Sequence, residues 1–200
     1  MPSTQEKDPV IFREPILEQK DVKARITFAE PTEWKPKEAV RELGEVKESY
    51  KACKLTVVLT DIDSVRTEHA DALPKPLIDD QFNVERYPYA DKKTGKLAWM
   101  NRGKLFNLEE AFGFDPCFVD GEGNPVEPYV TRSGNKVAPK IDGVARVLNP
   151  DFVSAYFHTD MTVNPTNWID KDIVIDVGVE KNEQYGDKNT ILRYKKVQAI

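Results

Sequence analysis

Strict alternation of apolar and polar side chains near the C-terminus constrains the fold of this chain most strongly. Between residues 173 and 180 every second side chain is apolar, and a second alternating run covers about 189–197. A period of two places successive side chains on opposite faces of a β-strand. A polar turn that contains glycine separates the two runs, so the sequence predicts a long closing β-hairpin. One face of its first strand carries Ile173, Ile175, Val177 and Val179.

Three earlier segments also predict strands. The first covers about 21–30, and its expected core face carries Val22, Ala24, Ile26 and Phe28. The second covers about 50–60, with Cys53, Leu55, Val57 and Leu59 on its core face. A weaker strand is predicted over 81–89, with Phe82 and Val84 as core candidates.

One helix is expected after these strands, with Asn101 as its N-cap and Gly113 as its stop. Its apolar positions are Leu105, Leu108 and Phe112. Residues 151–159 predict another short strand. The excursion at 31–50 is either a short helix from Pro36 to Leu43 or an exposed loop or hairpin extension. The segment 114–150, rich in glycine and proline, predicts a long loop or a small hairpin insertion.

This order of elements predicts a mainly β fold. Five strands, with one short helix after the third, favour an OB-like five-stranded Greek-key barrel with long loop insertions. A two-sheet sandwich is the competing topology, and it needs more strands than the sequence shows. We divide the chain into an N-terminal arm, 1–20, and a single OB-like domain, 21–200, with insertions at about 31–50 and 114–150.

Composition bounds the class of protein. The 200 residues are 40% hydrophobic and 32% charged, which is typical of a globular chain on the polar side. The net charge is −5, and no quarter of the chain is net positive. This counts against strong non-specific binding to duplex DNA but leaves room for a local basic groove.

The same composition bounds the compartment. No signal peptide is recognisable at the N-terminus, and no apolar run approaches the roughly 18 residues that span a bilayer. We therefore expect a cytoplasmic location and no membrane contact. Cys53 lies in a strand pattern and is expected to be a small buried hydrophobe, while a disulfide with Cys117 stays open.

Catalytic motifs are missing from the sequence. His69 and His158 have no partner at metal-ligand spacing, and neither a phosphate-cradling glycine loop nor a nucleophile elbow is present. Paired aspartates such as Asp170 and Asp172 could hold Mg²⁺ in a nuclease, but no third carboxylate stands at a defined spacing, so loop solvation and capping are the preferred explanation. We therefore predict a non-enzymatic protein without cofactor or metal.

Residues 101–115 precede a strand of the pattern Trp-Ile-x-Lys-x-Ile-x-Ile-x-Val, then a Tyr-Gly-x-x-Asn turn and a basic last strand. This arrangement resembles a family of small phage-encoded OB-fold single-stranded-DNA-binding proteins over about half of the chain. Asp170 stands where that family has glycine, and Lys188 where it has an aromatic residue. The resemblance implies single-stranded DNA as ligand, replication or recombination proteins as further partners, and the host cytoplasm as location. It leaves a homo-oligomer open.

Binding of a single strand needs cations for phosphates and flat side chains for bases. The candidate side chains are Lys23, Arg25, Trp34, Lys54, Arg86, Tyr87, Tyr89, Tyr185, Arg193, Tyr194 and Lys195. Alternation along the last strand places Arg193 and Lys195 on one face and Tyr194 on the other. Tyr194 is therefore a core residue if the more charged face points outward. Ordinary solvated strand faces explain the same residues, and the alternative function is a structural or protein-interaction module of a virion or its assembly.

The three tryptophans have separate expectations. Trp168, just before the closing hairpin, is predicted to plug the core or one end of the barrel, and Trp99 is predicted to be in the core. Trp34 is expected in a charged loop beside Pro36, within the 31–50 excursion. It either packs against the domain or stacks on a base or a partner.

Overall fold

Five long strands form one antiparallel sheet in the computed structural model, which describes residues 18–61, 65, 76–100, 102–181 and 188–197. The strands are β1 (Gln19–Trp34), β2 (Tyr50–Leu59), β3 (Pro76–Asn83), β11 (Asp172–Glu180) and β12 (Lys188–Lys195). Their spatial order is β12–β11–β1–β2–β3. The predicted closing hairpin is confirmed as β11 and β12.

The sheet curls into a half-barrel, and its two edge strands, β12 and β3, approach each other. Strands β1, β2 and β3 follow one another, and β11 returns to pair with the free side of β1. In the Greek-key order, three consecutive strands lie side by side and a fourth returns to lie beside the first, as β11 does here. The prediction of a mainly β fold is confirmed.

A β-bulge in β1 decides which side chains face outward. The pairing of β1 with β2 shifts register between Ile26 and Phe28. Such a bulge takes up one extra residue, so the positions after it exchange faces. Ala29 is 2% exposed and fills the core, whereas Phe28 is 46% exposed. The prediction that Phe28 lies on the core face is therefore wrong.

The concave side of the sheet holds the core. Cys53, Leu55 and Val57 are fully buried, as the alternation predicted for β2. Trp168 is also fully buried, and its indole N–H donates to the Tyr156 carbonyl at 2.8 Å. Its ring packs among five aromatic side chains, namely Phe82, Phe112, Phe152, Tyr156 and Phe157. The prediction for Trp168 is confirmed.

Four helices lie in the described part of the chain: α1 (Glu38–Arg41), α2 (Gly103–Ala111), α3 (Pro150–Tyr156) and α4 (Pro165–Trp168). Helix α2 is the predicted one, with Leu105 and Leu108 buried and Gly113 at φ +91° after its end. Its expected cap, Asn101, lies outside the described residues. Helix α1 is a single turn inside the predicted 36–43 segment.

The strand predicted at 151–159 is wrong, because these residues form α3. The Asn149 side chain accepts the Asp151 N–H at 2.9 Å, and Pro150 occupies the first turn. Both features start helices. Phe152 and Tyr156 then fall on one helical face and are buried.

The remaining strands are short. The predicted strand 81–89 is divided, because β3 ends at Asn83 and β4 (Pro88–Ala90) pairs with β5 (Leu97–Trp99). The 114–150 segment is an insertion of small sheets, as one of its two readings predicted. Its strands are β6 (Cys117–Val119), β7 (Pro125–Val126), β8 (Tyr129–Val130), β9 (Lys136–Val137) and β10 (Ala145–Val147). Among the described residues, none of the helices has the length and apolarity to cross a bilayer.

Candidate nucleic-acid interface

The outer face of β1 and β2 carries a row of cross-strand pairs. They are Arg25 with Val58, Phe28 with Thr56, Glu30 with Lys54, and Trp34 with Tyr50. The β2 members alternate with the buried Leu55 and Val57, so all four pairs share the outer side. We call this set the outer-face row. From Arg25 to Trp34 it extends about 30 Å at roughly 3.3 Å per residue.

Two cations flank one exposed ring in the outer-face row, and Glu30 lies opposite the second of them, Lys54. Phe28 lies between Arg25 and Lys54 and is 46% exposed. In the described part of the chain, the Lys54 ammonium has no carboxylate partner. The row thus has a cation on each side of one exposed aromatic ring.

An aromatic cluster stands at the far end of the outer-face row. The Trp34 ring lies 4.9 Å from the Tyr87 ring and 5.9 Å from the Tyr50 ring, centroid to centroid. Tyr50 is buried, and its hydroxyl accepts the Lys47 backbone N–H at 2.9 Å. Trp99 packs against Tyr50 at 6.1 Å. These contacts hold Trp34 half-buried, which supports its packing interpretation without removing its ring from the surface.

Trp99 is 42% exposed, so its predicted place in the core is wrong. It ends β5, opposite Pro88, and among the described rings only Tyr50 contacts it. The adjacent Met100 is 43% exposed. Sequence reasoning missed this exposure because β4 and β5 pair only with each other and do not join the main sheet.

A groove of about 700 Å³ opens at the other end, where β12, β11 and β1 meet. Four cations line it: Lys23, Arg25, Lys195 and Lys196. We call it the basic groove, although Asp21 and Asp172 line it as well. Three of the predicted site residues, Lys23, Arg25 and Lys195, are thus brought together from strands distant in the sequence.

Carboxylates compensate most of these cations. Arg25 donates to both oxygens of Asp172, at 2.7 and 3.2 Å. That hydrogen bond, with the charge of Arg25, lowers the pKa of Asp172 against the effect of burial. Lys23 pairs with Asp61 at 3.4 Å. Lys196 has no carboxylate partner among the residues that the structure describes.

Lys195 bridges two carboxylates and fixes the start of β1. Its ammonium binds Asp21 at 2.9 Å and also Asp176. Asp21 has φ +60° at a second bulge, and its N–H donates to Asp176. Burial alone would raise the pKa of Asp176, but the hydrogen bonds from Lys195 and from the Asp21 N–H, with the charge of Lys195, lower it overall.

The other predicted residues are distributed unevenly. Arg86 and Arg193 are exposed, and Tyr89 is half-buried in β4. Tyr194 is 1% exposed and packs in the core, where it is unavailable at the surface. Tyr194 is therefore removed from the proposed DNA contacts. Simple alternation does not hold along β12, since a register shift leaves Ile191 buried and Leu192 exposed. Tyr185 lies outside the described residues.

Sequence reasoning missed a buried ion pair that joins the 114–150 insertion to α2. Glu109 is fully buried and accepts the Asn149 N–H at 2.6 Å and Arg146 Nη2 at 3.0 Å. The Arg146 guanidinium also lies 4.4 Å from the centre of the Phe106 ring. Burial raises the pKa of Glu109 in spite of these partners. A charged residue at an apolar helix position, between Leu108 and Ala111, was the available signal.

Comparison with known proteins gives no assignment. No protein-family model, no curated protein and no solved structure matches the chain. Within the described residues, no three His, Cys, Asp or Glu side chains are grouped as metal ligands. The functional assignment therefore depends on the outer-face row, the aromatic cluster and the basic groove.

Proposed function

We propose that this protein binds single-stranded DNA without catalysis and serves DNA replication or recombination of the phage type. The observation that carries the proposal is the outer-face row, in which the exposed Phe28 lies between Arg25 and Lys54. Stacked bases contribute about 1–3 kcal/mol each and phosphate contacts contribute salt-dependent affinity. A row of this composition serves both interactions along one path.

We further propose that the half-barrel is of the OB type. The Greek-key order, the α2 helix after the third long strand and the approach of β12 to β3 support this. OB folds bind oligonucleotides on the face of their second and third strands and in the loop between the first two. Trp34 and Tyr50 flank that loop here.

The carboxylates of the basic groove determine how binding responds to salt. A phosphate that approaches Arg25 must compete with Asp172 at 2.7 Å. Such exposed pairs are weak, with a typical contribution of about 0–1 kcal/mol, so a polyanion can displace them. We therefore expect modest affinity with a clear salt dependence, and little preference for base sequence.

The first prediction tests Phe28. Replacement of Phe28 by Ala should weaken binding of oligo-dT about 5- to 150-fold, since about 1–3 kcal/mol of stacking is lost. Fluorescence anisotropy of a labelled oligonucleotide at low salt measures this change. The matched control is Leu192→Ala on β12, because Leu192 is 53% exposed and lies off the outer-face row.

Stability should change little in the Phe28 variant, because the ring is half exposed. Wild-type protein that shows no anisotropy change at micromolar concentration would overturn the proposed function. Equal binding by wild type and Phe28→Ala would remove the outer-face row as the DNA path.

A protein-interaction module is the second candidate function. It is favoured by apolar exposure on the β8–β9 pair of the insertion, where Tyr129 is 60% exposed and its cross-strand partner Val137 is 39% exposed. Isolated exposed apolar residues are common, but a group of them marks contact surfaces. A defined large oligomer in light scattering, together with no affinity for oligo-dT, would select this function.

A further inference from the structure

The β4–β5 hairpin concentrates positive charge in a chain whose net charge is −5. Between Asp91 and Glu109 the sequence has five cations and no carboxylate. Three of them, Lys92, Lys93 and Lys96, are exposed at the hairpin tip. In the part of the chain that the structure describes, no carboxylate pairs with their ammonium groups. This tip therefore differs from the basic groove, where carboxylates compensate most cations.

The tip has a fixed shape. The Asp91 carboxylate accepts the backbone N–H groups of Thr94 at 2.8 Å and Lys93 at 2.9 Å. The Asp91 backbone N–H donates to the Lys96 carbonyl at 3.0 Å, and Gly95 takes φ +65° to close the turn. An Asx-type turn of this kind orders the backbone. The three ammonium groups therefore project from a defined hairpin end.

The hairpin is continuous with the outer-face row. Trp99 packs on Tyr50, which is the partner of Trp34 in that row. The Met100 N–H donates to the Tyr87 carbonyl at 2.9 Å, and Tyr87 stacks against Trp34. Trp99 and Met100 each leave more than two fifths of their surface exposed. Single-stranded DNA that passes Trp34 would thus meet the exposed Trp99 indole and then the three lysines at the hairpin tip.

We propose that the β4–β5 hairpin is a second contact site for the single strand where it leaves the outer-face row. Lys92, Lys93 and Lys96 bind phosphates, and Trp99 stacks on a base. This inference rests on the proposed function. A polyanion is the occupant that the uncompensated charge and the adjacent flat ring fit together. The hairpin then lengthens the bound segment.

Oligonucleotide length separates this site from the outer-face row. At duplex spacing of about 3.4 Å per nucleotide, a row of about 30 Å holds at most about nine nucleotides. Because an unpaired strand can extend to about twice that spacing, oligo-dT of about four nucleotides should occupy the row alone, and oligo-dT of about sixteen should also reach the hairpin.

The test variant is Lys92→Ala/Lys93→Ala/Lys96→Ala. It should bind the longer oligonucleotide more weakly than wild type does. The slope of log K against log salt should also be smaller by about 2, since each of the three lost phosphate contacts removes about 0.7. Binding of the shorter oligonucleotide should not change. The control is Arg132→Ala/Lys136→Ala/Lys140→Ala, which removes the same charge from the 114–150 insertion, where Lys136 pairs with Asp115.

Tryptophan fluorescence gives a second readout. The longer oligonucleotide should quench the tryptophan fluorescence of wild-type protein more than that of Trp99→Phe, which lacks the indole at the hairpin. An unchanged slope in the hairpin variant, an equal loss for both lengths, or an equal loss in the control variant would overturn the inference and leave the proposed function standing. Wild-type protein that binds neither oligonucleotide would overturn the proposed function and this inference with it.

Discussion

Asp176 and Lys195, beside the start of β1, link the geometry of the sheet to the pH dependence of its stability. Asp176 accepts hydrogen bonds from Lys195 and from the backbone of Asp21, which has an unfavourable positive φ. A non-glycine residue in that region is held by its surroundings. The bridge by Lys195 therefore stabilises the bulge that aligns β1 with β11.

The fall of the free energy of unfolding at acid pH, here called the acid limb, should reveal this bridge. The pKa of Asp176 is lower in the folded protein than its ordinary value of 3.8, so its contribution is present above that value. It should be lost as the pH falls through the lowered folded pKa. Asp176→Asn should reduce the free energy of unfolding at neutral pH by about 1–2 kcal/mol and flatten the acid limb.

Urea unfolding at a series of pH values measures the effect of Asp176→Asn. Glu45→Gln, an exposed carboxylate in the loop after α1, is the control and should leave both quantities unchanged. An acid limb of wild-type steepness in Asp176→Asn would show that this bridge does not stabilise the fold.

Phe28 shows how one residue escapes prediction. Alternation from Val22 to Ile26 places Phe28 inward, but the bulge after Ile26 transfers the inward position to Ala29. Both Phe and Ala fit a core, so the pattern alone could not locate the extra residue. The pairing with β2 located it, because register is a property of two strands.

At the scale of elements, local patterns predicted well where the sequence itself stabilises the element. Helix α2 and the hairpin of β11 and β12 formed at the predicted places. The strand predicted at 151–159 failed because the Asn149 cap and Pro150 outweighed the apolar run. The cap at Asn149 and Pro150 is readable from the sequence, whereas the apolar run after it fits a strand or a helix equally.

The attachment of the insertion to α2 leads to a prediction at this scale. Glu109→Ala should lower the free energy of unfolding by about 3 kcal/mol, because Arg146 and the Asn149 N–H lose a buried partner. Glu109→Gln keeps an acceptor and should lose less. Chemical denaturation measures both, with Asp142→Ala as the control at an exposed carboxylate of the insertion.

Equal stability of the two Glu109 variants would show that the hydrogen bonds have no influence. Hydrogen exchange adds a local readout. In Glu109→Ala, the amides of β6 and β10 should exchange faster than they do in wild type, whereas the amides of β2 should not change. The ion pair joins the insertion, and not the main sheet, to α2.

At the scale of the whole molecule, the aromatic side chains around Trp168 join the sheet to the helices. Trp168 contacts Phe82 of β3, Phe112 after α2, and Phe152 and Tyr156 of α3. These segments are far apart in the chain. Packing of this kind closes the concave side of the half-barrel.

Trp168→Ala should therefore lower the free energy of unfolding by about 3–5 kcal/mol, the usual result of removing a large buried ring. Urea unfolding followed by circular dichroism measures it. Tyr129→Ala, at a ring 60% exposed on the insertion, is the control and should stay within about 0.5 kcal/mol of wild type. Similar stabilities of the two variants would argue against a central role for Trp168.

The sequence by itself determined the mainly β class, the positions of β1, β2 and the closing hairpin, helix α2 and the burial of Trp168. The strands and α2 follow from period-two alternation, from the 3,4 spacing of apolar residues and from capping, which act within a few residues. Only the tertiary structure decided that Phe28 and Trp99 are exposed, that Tyr194 is buried, and that Lys23, Arg25 and Lys195 meet in one groove. Bulges, curvature and ion pairs between distant strands set those positions, and such contacts have no local pattern in the chain.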